Sequence, residues 1–186
     1  GLGLRGAVAQ ASLQARSPTF QGLFGFPPRP VQAAVEGLPC VAAGGVAVLE
    51  SETGSGKTEA ALVYYAGLAR RGLVDGLYFA LPTRTAAVQI HRRIRDHVAR
   101  MFGPVAPQVV LAVPGYLRVD NVEGQRLAGF DVLWNDDPSA SVRFRGWAAE
   151  NPKRFLAAPI AVGTIDQALL GVLCVSHAHL RRTCLL

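Results

Sequence analysis

Apolar residues follow two distinct rhythms along these 186 residues. Short unbroken runs recur at Val46-Ala47-Val48-Leu49, Gly76-Leu77-Tyr78-Phe79-Ala80-Leu81, Val109-Val110-Leu111-Ala112-Val113 and Ile160-Ala161-Val162-Gly163. Each is bounded by a turn former or polar residues, the pattern of strands covered on both faces in a parallel sheet. Helical spacing lies between them. Ala87, Ile90, Ile94, Val98 and Met101 recur three and four apart, with Gln89, Arg92, Arg93 and Asp96 on the opposite face. Glu59 to Arg70 reads as a helix packed on a sheet, and Pro30 suits the first position of a helix over Val31 to Gly37. Thr164 and Gln167 have capping-box spacing and open a helix expected to run through Val175. The alternation predicts an α/β fold with a mainly parallel sheet flanked by helices.

Two stretches lack either rhythm. Residues 1–23 read as a loose lead-in to a single lobe over 24–186, and residues 115–155 read as an irregular insertion with one short helix near Trp147. The length suits one core rather than two. Half the residues are apolar and 17% are charged, which excludes a disordered chain. The 19 basic residues outnumber 13 acidic ones, and a net charge of +6 favours a polyanionic partner such as nucleic acid. Cys40, Cys174 and Cys184 are too scattered for a disulfide framework or a zinc site and fit a reducing cytoplasm. No apolar run approaches the ~20 residues of a membrane span. The chain begins at Gly1 and closes on an apolar stretch without a terminal element, so it reads as a fragment, incomplete at its C-terminus.

Chemistry concentrates after the first apolar run. In Glu50-Ser51-Glu52-Thr53-Gly54-Ser55-Gly56-Lys57-Thr58, the glycines let backbone N–H groups turn inward, and the next helix offers its positive N-terminal end to phosphates. Lys57 would reach the β- and γ-phosphate oxygens of ATP and Thr58 would ligate Mg²⁺, while Thr53, Gly54, Ser55 and Gly56 wrap the phosphates. Ser51 stands where the strict phosphate-loop pattern has glycine, but the strand, loop and helix come in the required order.

The order Gln32, then Thr53 to Thr58, then Leu81-Pro82-Thr83-Arg84, then Val162-Gly163-Thr164-Ile165-Asp166-Gln167 resembles the first RecA-like lobe of superfamily-two helicases. Phe155 to Leu170, followed by His177-Ala178-His179-Leu180-Arg181, is similar to the CRISPR-associated helicase-nuclease of type I interference systems. The resemblance covers roughly residues 24–182. It implies a P-loop NTPase lobe in which Gln32 reads adenine, and in which Thr83, Arg84, Gly163, Thr164 and Asp166 hold the backbone of single-stranded DNA. It also implies two partners, a CRISPR surveillance complex and a nuclease domain.

Other candidates are weaker. His177 and His179 lack a complete metal ligand set, and Asp131, Asp136 and Asp137 are too irregular for a calcium loop. Arg143, Phe144, Arg145, Trp147, Lys153, Arg154 and Phe155 interleave cations with aromatics, which suits either a single-strand surface or aromatics plugging the core. Superfamily-two helicases hydrolyse ATP with an Asp-Glu-x-His box, which these residues do not contain. The expected activity is therefore ATP binding without turnover by the chain alone, within an ATP-dependent DNA translocase. The alternatives are a non-catalytic nucleic-acid-binding or inert fragment, or another P-loop phosphotransferase. A guanine-reading Asn-Lys-x-Asp segment does not occur, which argues against a GTPase.

Overall fold

A computed structural model describes residues 19–40, 44–127, 132–135, 146–173 and 178–179. The chain divides into two compact units, residues 1–76 with 96–107, and residues 77–95 with 108–186.

In the first unit, α1 (Phe20–Phe24) starts where Thr19 Oγ1 accepts the Gly22 N–H at 3.1 Å. The sequence pattern predicts a loose lead-in to residue 23, but α1 crosses that boundary. Its ordering comes from aromatic packing: Phe20 is fully buried, 4.7 Å from the Phe24 ring and edge-on to Phe26 at 5.4 Å. The Phe20 N–H also donates to Glu36 Oε1 at 2.7 Å, tying α1 to α2 (Pro30–Glu36). Helix α3 (Lys57–Arg70) starts two residues before the expected Glu59, directly after Gly56.

The strand expected at Val46 to Leu49 is not formed. Residues 44–50 join no ladder, and Val46 and Val48 stand 94% and 81% exposed. A parallel strand is stabilised by neighbours on its edges, and among the described residues none pairs with this run.

The second unit contains a six-stranded mixed sheet in the order β1-β6-β2-β3-β4-β5. Its strands are β1 (Leu77–Leu81), β2 (Val109–Ala112), β3 (Arg118–Val119), β4 (Val122–Arg126), β5 (Val132–Trp134) and β6 (Ile160–Thr164). Strand β6 lies between β1 and β2, parallel to both, and all five of its residues are buried. These three strands coincide with three of the apolar runs. Strands β3, β4 and β5 extend the sheet antiparallel within the stretch expected to be irregular. Val122-Glu123-Gly124-Gln125-Arg126 has no strand-like apolar pattern, and its pairing is set by its neighbours.

The remainder of that stretch covers the sheet. A turn over residues 146–150 and a 3-10 helix (Pro152–Ala157) put Ala148, Ala149 and Phe155 against Val110, Ala112, Val119 and Ala161. Tyr78 and Trp134 pack on the same cluster.

Helix α4 (Arg84–Phe102) has the predicted buried positions Ala87, Ile94, Val98 and Met101, while Ile90 is only half-buried. His91 shares the buried stripe. Burial, above all, pushes its imidazole below the ordinary histidine range, and Arg118 and Arg95 add to this. Because a carbonyl only accepts, Nε2–H donates to Val109 O at 2.9 Å, a hydrogen bond that partly offsets the downward shift. Helix α5 (Ile165–Leu169) is shorter than expected. Thr164 has N-cap backbone geometry, but its hydroxyl makes no cap hydrogen bond, and Gln167 is buried, so the expected capping box is absent. Turns follow to Leu173, and residues 174–177, including His177, lie outside the described residues.

Among the described residues no helix is long and apolar enough to cross a membrane, and no cluster of three or more His, Cys, Asp or Glu side chains could hold a metal ion. Phe155 is 1% exposed at the centre of the sheet-covering cluster. Phe155→Ala is expected to cost about 3–5 kcal/mol, measured by denaturant unfolding.

Candidate functional site

The candidate phosphate loop, residues 50–58, lies in the first unit and is braced by its own residues and by α2. Gly56 has φ of +94°, in the left-handed region, and its carbonyl accepts the Ala60 N–H at 3.0 Å as α3 begins. Among the described residues no N-cap side-chain hydrogen bond closes this helix, which leaves its first N–H groups as candidate donors to an anion. Lys57 Nζ donates to Ser51 O at 2.6 Å and to Glu52 O at 2.7 Å, which holds the ammonium against the loop. The Ser55 hydroxyl is buried and has no hydrogen-bond partner among the described residues. An orphaned hydroxyl beside uncapped helix N–H groups and a lysine is a donor set that fits a nucleotide's phosphates, with Thr58 next along the helix.

Helix α2 supplies the brace. Arg29 Nη1 donates to Gly54 O at 2.5 Å, and Gln32 Nε2 donates to Gly56 O at 3.3 Å. Gln32 Oε1 accepts the Arg29 N–H at 2.9 Å, and the residue is 2% exposed. Both ends of the Gln32 amide are therefore engaged inside the protein. The amide also fills the space beside Gly56, where an added Cβ would come within 2.0 Å of Gln32 Nε2.

A third support carries no motif in the sequence. Glu59, in the first turn of α3, is buried and receives His97 Nε2 at 2.9 Å, which requires a proton on that nitrogen if the carboxylate is ionised. The His97 ring meets Phe24 edge-on at 5.2 Å. A signal for it does exist, since position 97 lies three residues after Ile94, on the buried stripe of α4.

The strand-end candidates belong to the second unit. Leu81 pairs with Thr164 and Ala80 with Gly163, so Thr83-Arg84 and Thr164-Asp166 leave the C-terminal ends of two adjacent parallel strands. In open α/β sheets that edge is where ligands bind. Thr83 Oγ1 accepts the Ala86 N–H at 3.1 Å and so caps α4, while Arg84 and Asp166 are exposed and Thr164 is buried. Gly163 has a packing reason of its own. A Cβ there would fall 2.4 Å from Tyr78 Oη and 2.5 Å from Ala112 O.

Tyr78 likewise stands outside every motif. Its hydroxyl donates to Thr164 O at 2.8 Å, and burial first, then the Asp166 carboxylate, pushes its ionisation well above the ordinary tyrosine range. A protonated hydroxyl thus fixes the residue that opens α5.

No protein-family model matches the chain. It is 34% identical over 157 residues to the "CRISPR-associated endonuclease/helicase Cas3" of Escherichia coli (strain K12), covering 84% of this chain and 17% of that protein. It is also 34% identical over 181 residues to the protein of the same name from Thermus thermophilus, covering 92% of this chain and 19% of that protein. The chain thus spans less than a fifth of the length of these curated relatives. Among solved structures, that of T. fusca Cas3-ADP superposes with a TM-score of 0.62 at 31% identity, covering 90% of this chain and 17% of that one. T. fusca Cas3-ATP gives a TM-score of 0.60 at 30% identity, with the same coverage.

Two substitutions test these supports. Gly56→Ala is expected to abolish measurable nucleotide binding, through the left-handed backbone and the collision with Gln32, in a calorimetric titration. Tyr78→Phe is expected to lower stability by about 0.5–1.5 kcal/mol in denaturant unfolding, by removing one hydrogen bond without changing the ring packing.

Proposed function

We propose, from this chain's homology to the CRISPR-associated helicase/nucleases, that it is the first RecA-like, ATP-binding lobe of a translocase that moves single-stranded DNA during CRISPR interference. The observation that carries this reading is the convergence of Arg29, Gln32 and Lys57 on the carbonyls of residues 51–56, beside the uncapped start of α3. ATP with Mg²⁺ supplies a phosphoanhydride whose cleavage can drive movement along DNA.

The chain's own residues bind and orient. Lys57 exchanges its loop carbonyls for phosphate oxygens, and the orphaned Ser55 hydroxyl and the first α3 N–H groups complete the cradle with Thr53, Gly54 and Gly56. Thr58 is the Mg²⁺ ligand. Lys57 and Thr58 are the pair nearest the chemistry. Gln32 reads adenine only by giving up a hydrogen bond to Gly56 or Arg29, which would make base recognition and loop geometry interdependent.

In the second unit Arg84 offers a charge, and Thr83, Thr164 and Asp166 offer polar groups, to a DNA backbone along the ends of β1 and β6. Gly163 contributes by letting β6 approach Tyr78 and Ala112. A surveillance complex and a nuclease domain are the partners this function requires, in the cytoplasm. Without an Asp-Glu-x-His box in its 186 residues, the chain alone binds ATP but does not turn it over.

A titration of fluorescent ATP analogue and Mg²⁺ into the chain and into Lys57→Ala, with and without single-stranded DNA, tests this. Micromolar to millimolar binding that Lys57→Ala weakens at least about tenfold, some 1.4 kcal/mol, is the expected result. Salt-dependent DNA binding with no nucleotide binding would instead favour a non-catalytic binding module. ATP hydrolysis above the Lys57→Ala background would refute the absence of turnover.

A further inference from the structure

The stretch of interleaved cations and aromatics resolves into two parts. Phe155 is core, whereas Trp147 is 43% exposed with the Arg154 guanidinium 4.8 Å from its ring centroid. We propose that Trp147 and Arg154 form a base-stacking platform for single-stranded nucleic acid, separate from the strand-end residues. It rests on the reading that this chain handles single-stranded DNA.

The turn that carries Trp147 is fixed on both sides. Ala149 N and Glu150 N donate to Gly146 O at 2.8 and 3.0 Å, and Gly146 is pressed against Trp134, where a Cβ would come within 2.1 Å of the indole. Glu150 clamps the other side, its carbonyl accepting Arg126 Nη2 at 2.7 Å and its carboxylate accepting Trp134 Nε1–H at 3.3 Å. Ala148 and Ala149 are buried in the sheet-covering cluster. The apolar core is therefore one residue away, yet the larger side chain faces solvent and the alanines face inward. A rigid turn with this arrangement holds an aromatic face ready for a ligand without further ordering cost.

Arg154 is held over that face by its own local structure. Asn151 opens the 3-10 helix, its side chain accepting Lys153 N at 3.0 Å and its carbonyl accepting Arg154 N at 2.8 Å. Among the described residues no carboxylate forms an ion pair with Arg154 or Lys153. A planar cation set on an exposed indole, with no ion-pair partner among the described residues, matches what a single strand presents: a base to stack and a phosphate to neutralise. The excess of six positive charges in the chain has the same sign. A protein-binding hot spot would also use Trp and Arg, but it would place them inside a desolvated apolar patch rather than beside free cations.

The test follows the whole chain by indole emission and by anisotropy of a labelled oligonucleotide, comparing oligo-dT with an abasic strand of equal length. Oligo-dT is expected to quench emission, the abasic strand is not, and Trp147→Phe is expected to remove most of the quench. Trp147→Ala and Arg154→Ala are each expected to weaken oligo-dT binding roughly 5- to 100-fold, corresponding to about 1–3 kcal/mol per stacked base. Arg154→Lys, which keeps the charge but not the plane, is expected to fall between wild type and Arg154→Ala. Binding of oligo-dT with emission unmoved and Trp147→Ala unaffected would overturn the platform while leaving the DNA reading intact. No binding to either strand would overturn both. Because the chain also contains Trp134, the quench is assigned to Trp147 by its loss in Trp147→Phe and its retention in Trp134→Phe.

Discussion

A parallel strand with both faces covered must also fill its hydrogen-bonding edges, and among the described residues β6 is the strand with a parallel partner on both sides. Its residues pair with β1 along one edge and β2 along the other, and all of them are buried. The close approach this demands leaves no room for a side chain at position 163, where Tyr78 Oη and the Ala112 carbonyl occupy the space. Because β6 is held so closely, the residues that leave its end are fixed as well. Tyr78 reaches across from β1 to the Thr164 carbonyl, so the same contact that packs the sheet sets the start of α5.

The candidate phosphate loop follows a comparable logic in its own unit. A loop that turns its N–H groups inward necessarily turns carbonyls outward, and those need donors. Arg29, Gln32 and Lys57 supply them, and the buried Glu59–His97 pair supports the turn of helix that follows. Lys57 and Gln32, the side chains expected from the sequence to meet nucleotide, both brace the loop in this structure, so the proposed binding would draw on the same atoms that hold the loop.

Legibility in the sequence followed the physical origin of each feature. The apolar runs at 109–112 and 160–164 were readable because burial on both faces removes polar residues from a strand, while 77–81 was readable from its apolar composition although the strand is only partly buried. The buried stripe of α4 was readable because a helix repeats its contacts every three or four residues. Strands β3 to β5 were not, since a short antiparallel strand such as Val122–Arg126 takes its register from its partners rather than from its own pattern. Val46 to Leu49 erred in the opposite direction: its composition is that of a strand, but no neighbouring strand completes it among the described residues. The helix expected from Thr164 does start there but gives way to turns after Leu169, and the capping-box spacing did not oblige Thr164 to turn its hydroxyl toward the helix.

Residue type and spacing alone set the chemistry available: a phosphate loop with its lysine and threonine, a glutamine upstream of it, and polar turns placed after buried runs. The chain carries these properties whether or not it is folded. Folding chose which atoms those residues spend on one another. It turned the Gln32 amide onto Gly56, paired Glu59 with His97, set Tyr78 on Thr164, and sorted Phe155 into the core while leaving Trp147 outside. Such choices depend on groups distant in sequence meeting at hydrogen-bond range, and no local pattern records that distance.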